Sequence, residues 1–168
     1  VDFTPSGGSK NTYLINGTRY VYKLNGSTEW AVTRDLGAGL LASDIHVHGA
    51  NLGVGYATSH QYTSDDSSWT TASLLPADRM ASLGNNLWRV DRPNTIYSAT
   101  GFGGTWSAGY TVSDSTYNIN SLIGVEQLLM IGKEDGIYSL DNEGVVVPFP
   151  PELRPQSNTS FASLQATT

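Results

Sequence analysis

Several residue types are scarce in this sequence, and each scarcity excludes a class of protein. There is no cysteine, so a disulfide framework and a thiolate metal site are both excluded. Only 14% of the 168 residues are charged and Lys and Arg form no cluster, which argues against a nucleic-acid partner. The apolar runs are short, as in GVVVPF, so no segment is predicted to span a membrane.

Helical periodicity is also missing, and a period of two residues takes its place. In WSAGYTV (106–112) apolar side chains alternate with Ser, Gly and Thr, and in DIHVHG (44–49) Ile45 and Val47 face inward. Gly, Asn, Asp and Ser interrupt these runs at short intervals. The pattern predicts an all-β protein rich in turns.

A repeat of about 40 residues organises the aromatic residues. Tyrosines that precede turns recur at Tyr22, Tyr62, Tyr97 and Tyr138. Tryptophan follows three of them, at Trp30, Trp69 and Trp106, and leucine precedes three of them by ten residues, at Leu52, Leu87 and Leu128. A period near 40 with four strands per unit is typical of a β-propeller blade.

The repeat predicts four units and their strands. The units cover residues 1–40, 41–76, 77–113 and 114–151, and a lone strand lies at 158–165. In the last three units the first strands are predicted at 44–48, 79–83 and 119–123, and the second at 51–56, 86–90 and 127–131. The third are predicted at 60–64, 95–99 and 136–140, and the fourth at 69–74, 105–112 and 145–149.

The first unit is predicted to lack its first strand, with strands only near 12–15, 19–23 and 29–34. The fold class is therefore an all-β propeller of about four antiparallel blades. It is either a ring closed by SFASLQ (160–165) or an arc of a larger propeller, in which this strand begins the next blade. Because the sequence begins at Val1, we expect a processed chain or a piece of a longer one, which favours the arc.

The segment YSATGFGGTW (97–106) resembles a degenerate Asp-box, the turn of bacterial-neuraminidase-type repeats. Gly103, Thr105 and Trp106 match the Gly, Thr and Trp of that pattern, whereas Gly101 and Ala99 stand at its Asp and Ser positions. The resemblance implies a structural turn whose tryptophan fills the gap between sheets. A strand rather than a helix is predicted to follow, which argues against a phosphate-binding loop.

The sequence pattern of LLMIGKEDGIYSLDNEG (128–144) resembles that of propeller segments in viral and microbial surface proteins. That resemblance implies a non-catalytic structural or interaction module of a larger extracellular assembly or virion surface, such as a tail fibre. Its partners would be protein subunits, including copies of the same chain, or a cell-surface glycan. A glycan-binding propeller is the alternative function, and no cofactor is expected.

Aromatic and basic residues supply the candidate binding site. Trp88, Tyr56 and Tyr110 could stack on sugars, or they could fill gaps between blades, and Arg89 and Arg92 flank the end of one strand. A sialidase would need an arginine cluster, a tyrosine nucleophile and paired carboxylates. No motif joins Arg79, Arg89 and Arg92 into such a site, so catalysis is not expected.

His46 and His48 are the metal-site candidates. They lie two residues apart on one strand face, with His60 or Asp44 as a third ligand. We expect them to bind no metal, because no further ligand is fixed by the pattern. Turn acids at Asp65, Asp66, Asp135, Asp141 and Glu143 either cap backbone amides or hold Ca²⁺ at 65–66 or 141–143.

Overall fold

The computed structural model describes residues 1–26, 28–72, 74–141 and 144–149. Within these ranges the secondary structure consists of sixteen strands, which form four antiparallel four-stranded sheets. In each sheet the strands pair with their neighbours in chain order. The predicted all-β fold with four sheets is confirmed. The described residues contain no helix long and apolar enough to cross a membrane.

The strands are numbered in chain order. The first sheet contains β1 to β4, at Asp2–Phe3, Asn11–Ile15, Tyr20–Asn25 and Glu29–Asp35. The second contains β5 to β8, at Asp44–His48, Asn51–Tyr56, Ser59–Thr63 and Thr70–Ala72. The third contains β9 to β12, at Met80–Leu83, Asn86–Asp91, Thr95–Ala99 and Tyr110–Thr111. The fourth contains β13 to β16, at Ile119–Val125, Leu128–Lys133, Gly136–Leu140 and Val146–Pro148.

Two strand predictions are corrected. The first unit does have a first strand, β1, which pairs with β2 through Asp2 and Thr12 and is too short to show a periodic pattern. In the third sheet the fourth strand is β12 alone, rather than 105–112. The ladder ends early because the Ser98 amide donates to the Ser107 hydroxyl. The lone strand predicted at 158–165, and with it ring closure, lies outside the described residues.

The strand pairing shows that the ten-residue spacing between leucine and tyrosine does not correspond to one fixed register. All four repeat tyrosines lie on the third strand of their sheet, and all three leucines lie on the second. Leu87, however, faces Ala99, two residues after its tyrosine, whereas Leu52 faces Thr63, one residue after its own. Loops of different length between the second and third strands cause this shift.

In the fourth sheet, the leucine that lies ten residues before the repeat tyrosine is not the structurally equivalent one. Leu129 faces Leu140, two residues after Tyr138, and is fully buried, whereas Leu128 is exposed. Leu129 is therefore the structural counterpart of Leu87, and the assignment of Leu128 to the repeat is corrected.

The described chain divides into two compact units. The first comprises Val1–Asp78 with Gly101–Gly103, and contains the first and second sheets. Its core contains Phe3, Tyr13 and Val21 from the first sheet and Leu52 and Val54 from the second. Ile45 and Val47 pack against this cluster, as the alternation in DIHVHG predicts.

The second unit comprises Arg79–Thr100 with the chain from Gly104 onward, and contains the third and fourth sheets. Its core joins Trp88, Val90 and Ile96 of the third sheet to Leu129 and Ile131 of the fourth. In both units, one face of each sheet is covered by the face of its neighbour, which is how antiparallel sheets bury alternating apolar residues.

Within the second unit, the backbones of β13 and β9 come into direct contact where the two strands cross. A Cβ atom on Gly124 would lie 1.9 Å from the carbonyl oxygen of Ser82, so any larger residue would push the two strands apart. Gly136, on β15, provides a contrast, because a Cβ atom there would have nothing within 4 Å.

We predict that Gly124→Ala destabilises the protein by about 3 kcal/mol, the upper range for overpacking of a well-packed core. Gly136→Ala, the matched control, should change the free energy of unfolding by less than about 1 kcal/mol. Urea denaturation followed by circular dichroism measures both. Equal effects of the two substitutions would show that the contact at Gly124 relaxes without cost.

Candidate functional site

A cavity of about 500 Å³ opens at one end of the two sheets of the second unit. Its walls include the turns Gly84–Asn85 between β9 and β10 and Glu126–Gln127 between β13 and β14, together with Asp141 and Gly144 of the connection between β15 and β16. In sheets paired in chain order, the first and third connections lie at the same end. Adjacent blades therefore bring these turns together.

Two of the turns share a backbone requirement. Gly84 has φ 56° and Glu126 has φ 52°, each at the first of two loop residues. This is the position that type II′ hairpin turns reserve for glycine. Glycine meets the requirement without strain, whereas Glu126 holds a left-handed conformation at a cost of order 1 kcal/mol. The conformation places a carboxylate on the cavity wall where glycine would leave none.

The lining combines aromatic rings, amides and acids. Trp88 on β10 and Tyr110 on β12 supply the aromatic surface, and their ring centroids are 5.7 Å apart with planes inclined at 48°. The polar lining residues are Asn85, Asn86, Ser98, Glu126, Gln127 and Asp141. The lining contributed by the described residues includes two carboxylates and no Lys or Arg, so the cavity favours neutral or cationic ligands over anionic ones.

Asp141 is held in place by its own turn. The Val145 amide donates to Asp141 Oδ1 at 3.1 Å, and the Gly144 amide donates to the Asp141 carbonyl at 3.2 Å. Asp141 thus caps its turn as the sequence suggests, and in addition it lines the cavity. Glu143, the other acid proposed for Ca²⁺ there, lies outside the described residues.

Of the predicted binding residues, the structure brings Trp88 and Tyr110 together and separates Arg89 from them. Trp88 and Arg89 are consecutive on β10 and therefore point to opposite faces of the sheet. The Arg89 guanidinium lies 4.2 Å from the Tyr97 ring centroid and 4.8 Å from that of Trp106. Arg89 is buried, and burial lowers its pKa below the usual value, so it serves packing through cation–π contacts.

The remaining two predicted binding residues lie elsewhere. Tyr56 is buried in the core of the first unit, which leaves no ring face for a sugar. Arg92 is exposed and directly follows β10. Burial thus places Tyr56 among packing residues, the alternative that the sequence left open for the aromatic candidates. Arg89 is also a packing residue, which the sequence did not suggest, while Arg92 remains on the surface.

The three repeat tryptophans share a position in the chain but not an environment. Trp30 lies within β4, Trp69 directly precedes β8, and Trp106 lies in the connection before β12. Trp69 packs against the core of the first unit, Trp106 covers Arg89, and Trp30 is 44% exposed. Trp30 therefore has a different environment from Trp69 and Trp106, although the three tryptophans recur at similar places in the repeat.

The turns named in the sequence have structural partners. Asp65 Oδ1 accepts the amides of Ser67 and Ser68 at 2.9 and 2.7 Å. These bonds, that of Ser68 first, hold the pKa of Asp65 well below its usual range. Asp66 accepts Lys23 Nζ at 2.8 Å and the Thr33 hydroxyl at 3.1 Å. In YSATGFGGTW, Phe102 is buried and stacks on Tyr62 of the first unit at 5.6 Å.

The histidines of the second sheet occupy two different environments. His46 and His48 lie on β5, facing Gly53 and Asn51 of β6. His60 is fully buried on β7, with Nδ1 3.0 Å from the Leu75 carbonyl and Nε2 3.3 Å from the Phe102 carbonyl. The described residues form no group of three or more His, Asp or Glu side chains that could hold a metal ion.

Sequence reasoning missed a buried cation in the second unit. Lys133 on β14 is 2% exposed, and its Nζ donates to the carbonyls of Val112 and Asp114 at 2.8 and 2.6 Å. It also missed the amide-bearing turns of the cavity. A glycine–asparagine pair, as at 84–85, is typical of a turn, but nothing in the local sequence shows that turns from two sheets line one cavity.

Comparison with known proteins places the fold. No protein-family model matches the sequence, and no curated protein is significantly similar to it. Solved β-propeller structures do match: BamB from Moraxella catarrhalis with a TM-score of 0.64 at 12% identity, and an ancestral GH74 enzyme with 0.66 at 14%. They are matched over 82% and 84% of this chain, and over 44% and 22% of their own.

A chain in the structure of the mitotic checkpoint complex is similar as well, with a TM-score of 0.62, 12% identity and coverage of 88% of this chain and 49% of its own. The chain thus spans about half the length, or less, of the structures it matches. At these identities the likeness shows the fold alone. The protein is built of β-propeller repeats.

We predict that His46 makes the protein less stable in mild acid. Burial first, and the neighbouring His48 second, lower the pKa of His46 to about 4. Unfolding restores a value near 6.5, so the unfolded state binds more protons between the two values, and stability is lost as pH falls from about 6.5 to about 4.

Urea midpoints at pH 7 and pH 4.5 test this, with His46→Gln compared against the parent chain. The variant should lose less stability between the two pH values, whereas the control, His48→Gln, should keep most of the pH dependence. An unchanged difference in His46→Gln would remove His46 as the cause.

Proposed function

We propose that the protein is a non-catalytic interaction module of a larger extracellular or virion assembly. In this proposal, one blade is formed by each of the repeat units at about 1–40, 41–76, 77–113 and 114–151. The turn at 97–106 is related to the Asp-box turn. The structural neighbours support the propeller repeat, and their names range from an enzyme to a member of a protein complex.

One observation carries the proposal: the first sheet is apolar on both faces. Tyr13 and Val21 on one face are fully buried in the core of the first unit. On the other face Leu24 pairs with Trp30, and Tyr22 pairs with Val32. Trp30 is 44% and Val32 52% exposed. We call Leu14, Tyr22, Leu24, Trp30 and Val32 the apolar face of the first sheet.

An antiparallel sheet with one solvated face normally alternates apolar and polar residues. The apolar face of the first sheet breaks that rule with two large exposed side chains, one of them tryptophan, the residue type most enriched among interface hot spots. Contiguous exposed apolar surface of this kind marks protein interaction sites. In the second unit, taken by itself, the exposed apolar residues are Val125, Leu128 and Val147 of the fourth sheet and Val145, which directly precedes β16.

The contacts of the arginines support a non-catalytic role. Arg79 Nε donates to the Asn120 carbonyl at 2.8 Å, and Arg89 lies between two aromatic rings. Both side chains are thus engaged in packing of the second unit. Neither guanidinium group is therefore placed as the cationic group that a sialidase would need.

We predict that the double variant Trp30→Ser/Val32→Ser weakens association with a protein partner, or with a second copy of the chain, by about 2 kcal/mol or more. Association is measured by sedimentation velocity over a concentration series, and by capture from material of the source. Leu41→Ser, an exposed leucine in the loop after the first sheet, is the control.

All three substituted side chains are exposed, so folding stability should change by less than about 0.5 kcal/mol for each. The interaction proposal fails if the parent chain stays monomeric and captures nothing that the double variant does not also capture.

A second candidate function is carbohydrate binding. The observation that favours it is the cavity of the second unit, in which Trp88 and Tyr110 meet amide and carboxylate side chains. Sugar sites combine an aromatic ring with planar polar groups of this kind, because a pyranose has both apolar faces and hydroxyl edges.

A further inference from the structure

The first sheet ends in an edge strand that is long by the standard of this protein. β4 lies last in the order of its sheet, where it pairs with β3 and with no other strand of the described residues. It contains seven residues, whereas the corresponding fourth strands β8, β12 and β16 contain three, two and three. Short edge strands are one way in which proteins prevent unwanted pairing, so β4 is the edge suited to accept another strand.

The pairing at the opposite edge of the sheet shows which way the backbone of β4 is directed. The Tyr13 amide donates to the Val1 carbonyl at 2.8 Å, and the Val1 ammonium donates to the Tyr13 carbonyl at 2.8 Å. Tyr13 thus directs its backbone groups away from β3. Because hydrogen-bonded and non-hydrogen-bonded pairs alternate, Lys23, which faces Tyr13, directs its own backbone groups toward Ala31 of β4.

The two residues beside Ala31 consequently direct their N–H and C=O groups away from the sheet. These residues are Trp30 and Val32, whose side chains are also 44% and 52% exposed. Residues 30–33 carry no charge. The middle of the edge therefore lacks the charged side chains with which proteins discourage strand pairing.

The order of side chains along β4 favours a second copy of the same strand as the partner. Around Ala31 the segment EWAVT has the same character in both directions, with a large apolar residue and then a polar one on each side. An antiparallel pair of two β4 strands centred on Ala31 places Trp30 of each copy opposite Val32 of the other. Such aromatic and β-branched pairs stabilise sheets. Centring the pair on Trp30 would leave Val32 opposite Thr28 and lose both contacts.

Charge favours the same register. With Ala31 at the centre, Glu29 of each copy lies opposite Thr33 of the other, and no like charges face each other. With Val32 at the centre, Glu29 would lie opposite Asp35, and like charges directly opposite each other destabilise a sheet. The alanine also leaves room for the two backbones to approach where the side chains meet on the symmetry axis.

We propose that two copies of the chain associate through β4, with the strands antiparallel and Ala31 on the two-fold axis. Trp30 of each copy exchanges backbone hydrogen bonds with Val32 of the other, so that the two first sheets form one continuous sheet. The two-fold contact is closed and leaves no β4 edge for further strands. The inference rests on the interaction function proposed above. It adds the partner, which is the same chain, and the geometry of the contact.

The absence of cysteine makes disulfide trapping a direct test of this register. The proposed Ala31 pair is non-hydrogen-bonded, which places the two Cα atoms about 4.5 Å apart, a separation that a disulfide bridges. Ala31→Cys should therefore form a covalent dimer in a glutathione redox buffer, seen on a non-reducing gel and reversed by dithiothreitol. Leu41→Cys, at an exposed position in the loop after the first sheet, controls for random collision and should stay mostly monomeric.

Proline tests the backbone bonds separately from the side chains. Val32→Pro removes an N–H that points outward, so the hydrogen bonds between β3 and β4 are kept. Val32→Thr, the matched control, keeps the N–H and the β-branched shape. In sedimentation velocity, Val32→Pro should raise the dissociation constant of the dimer at least about tenfold, because backbone hydrogen bonds are lost. Val32→Thr should change it less than about threefold.

The inference is supported if Ala31→Cys forms far more covalent dimer than Leu41→Cys and Val32→Pro associates more weakly than Val32→Thr. If Val32→Pro does not fold by circular dichroism, the two cysteine variants decide. A parent chain that stays monomeric overturns the inference, and the interaction function then depends on another protein. If the parent chain associates but the two cysteine variants behave alike, or Val32→Pro associates as tightly as Val32→Thr, the inference is overturned and the interaction function stands.

Discussion

The second unit is organised around the close approach of two strands, β9 and β13, at a point where only glycine fits. The Ser82 carbonyl occupies the space that a side chain at residue 124 would need, so the third and fourth sheets can pack face to face at short range. The core of Trp88, Ile96, Leu129 and Ile131 fills the interface that results. The cavity also depends on this contact, because its walls are hairpins that extend from these same strands.

Aromatic rings and backbone oxygens help to stabilise the two buried cations described in the second unit. Arg89 lies between the Tyr97 and Trp106 rings, and Lys133 donates to two carbonyls with the Tyr138 ring 6.0 Å away. Both side chains carry a charged group at one end, and their long aliphatic stems cover apolar surface. A composition with few charges can still contain buried cations when the aromatic residues are placed to receive them.

The sequence was sufficient to predict four sheets and most strand positions. Alternation follows from the two faces of a pleated strand, and the 40-residue spacing follows from four short strands and their turns in each unit. It failed where the pattern is too short, as at β1, and where a side chain replaces the ladder, as Ser107 does before β12. Equal spacing also misled at Leu128, since loop length shifts the register by one residue and exchanges buried for exposed positions.

The cavity was only half predictable, and for a physical reason. Trp88 and Tyr110 were recognised as aromatic candidates by residue type, but Arg89 was grouped with them although adjacent strand residues face opposite ways. The amides at 85, 86 and 127 gave no signal beyond turn formation. Their convergence depends on the packing of two sheets, which no local window of sequence contains.

The position of Lys133 gives the second unit a chemical reporter of its own opening. The chain has three lysines, and Lys10 is exposed whereas Lys133 is enclosed with both of its carbonyl acceptors supplied by the segment after β12. An amine-specific reagent can reach Lys133 only when that segment lifts from β14. The ratio of modification at Lys133 to that at Lys10 therefore measures how often the unit opens under native conditions, without any denaturant.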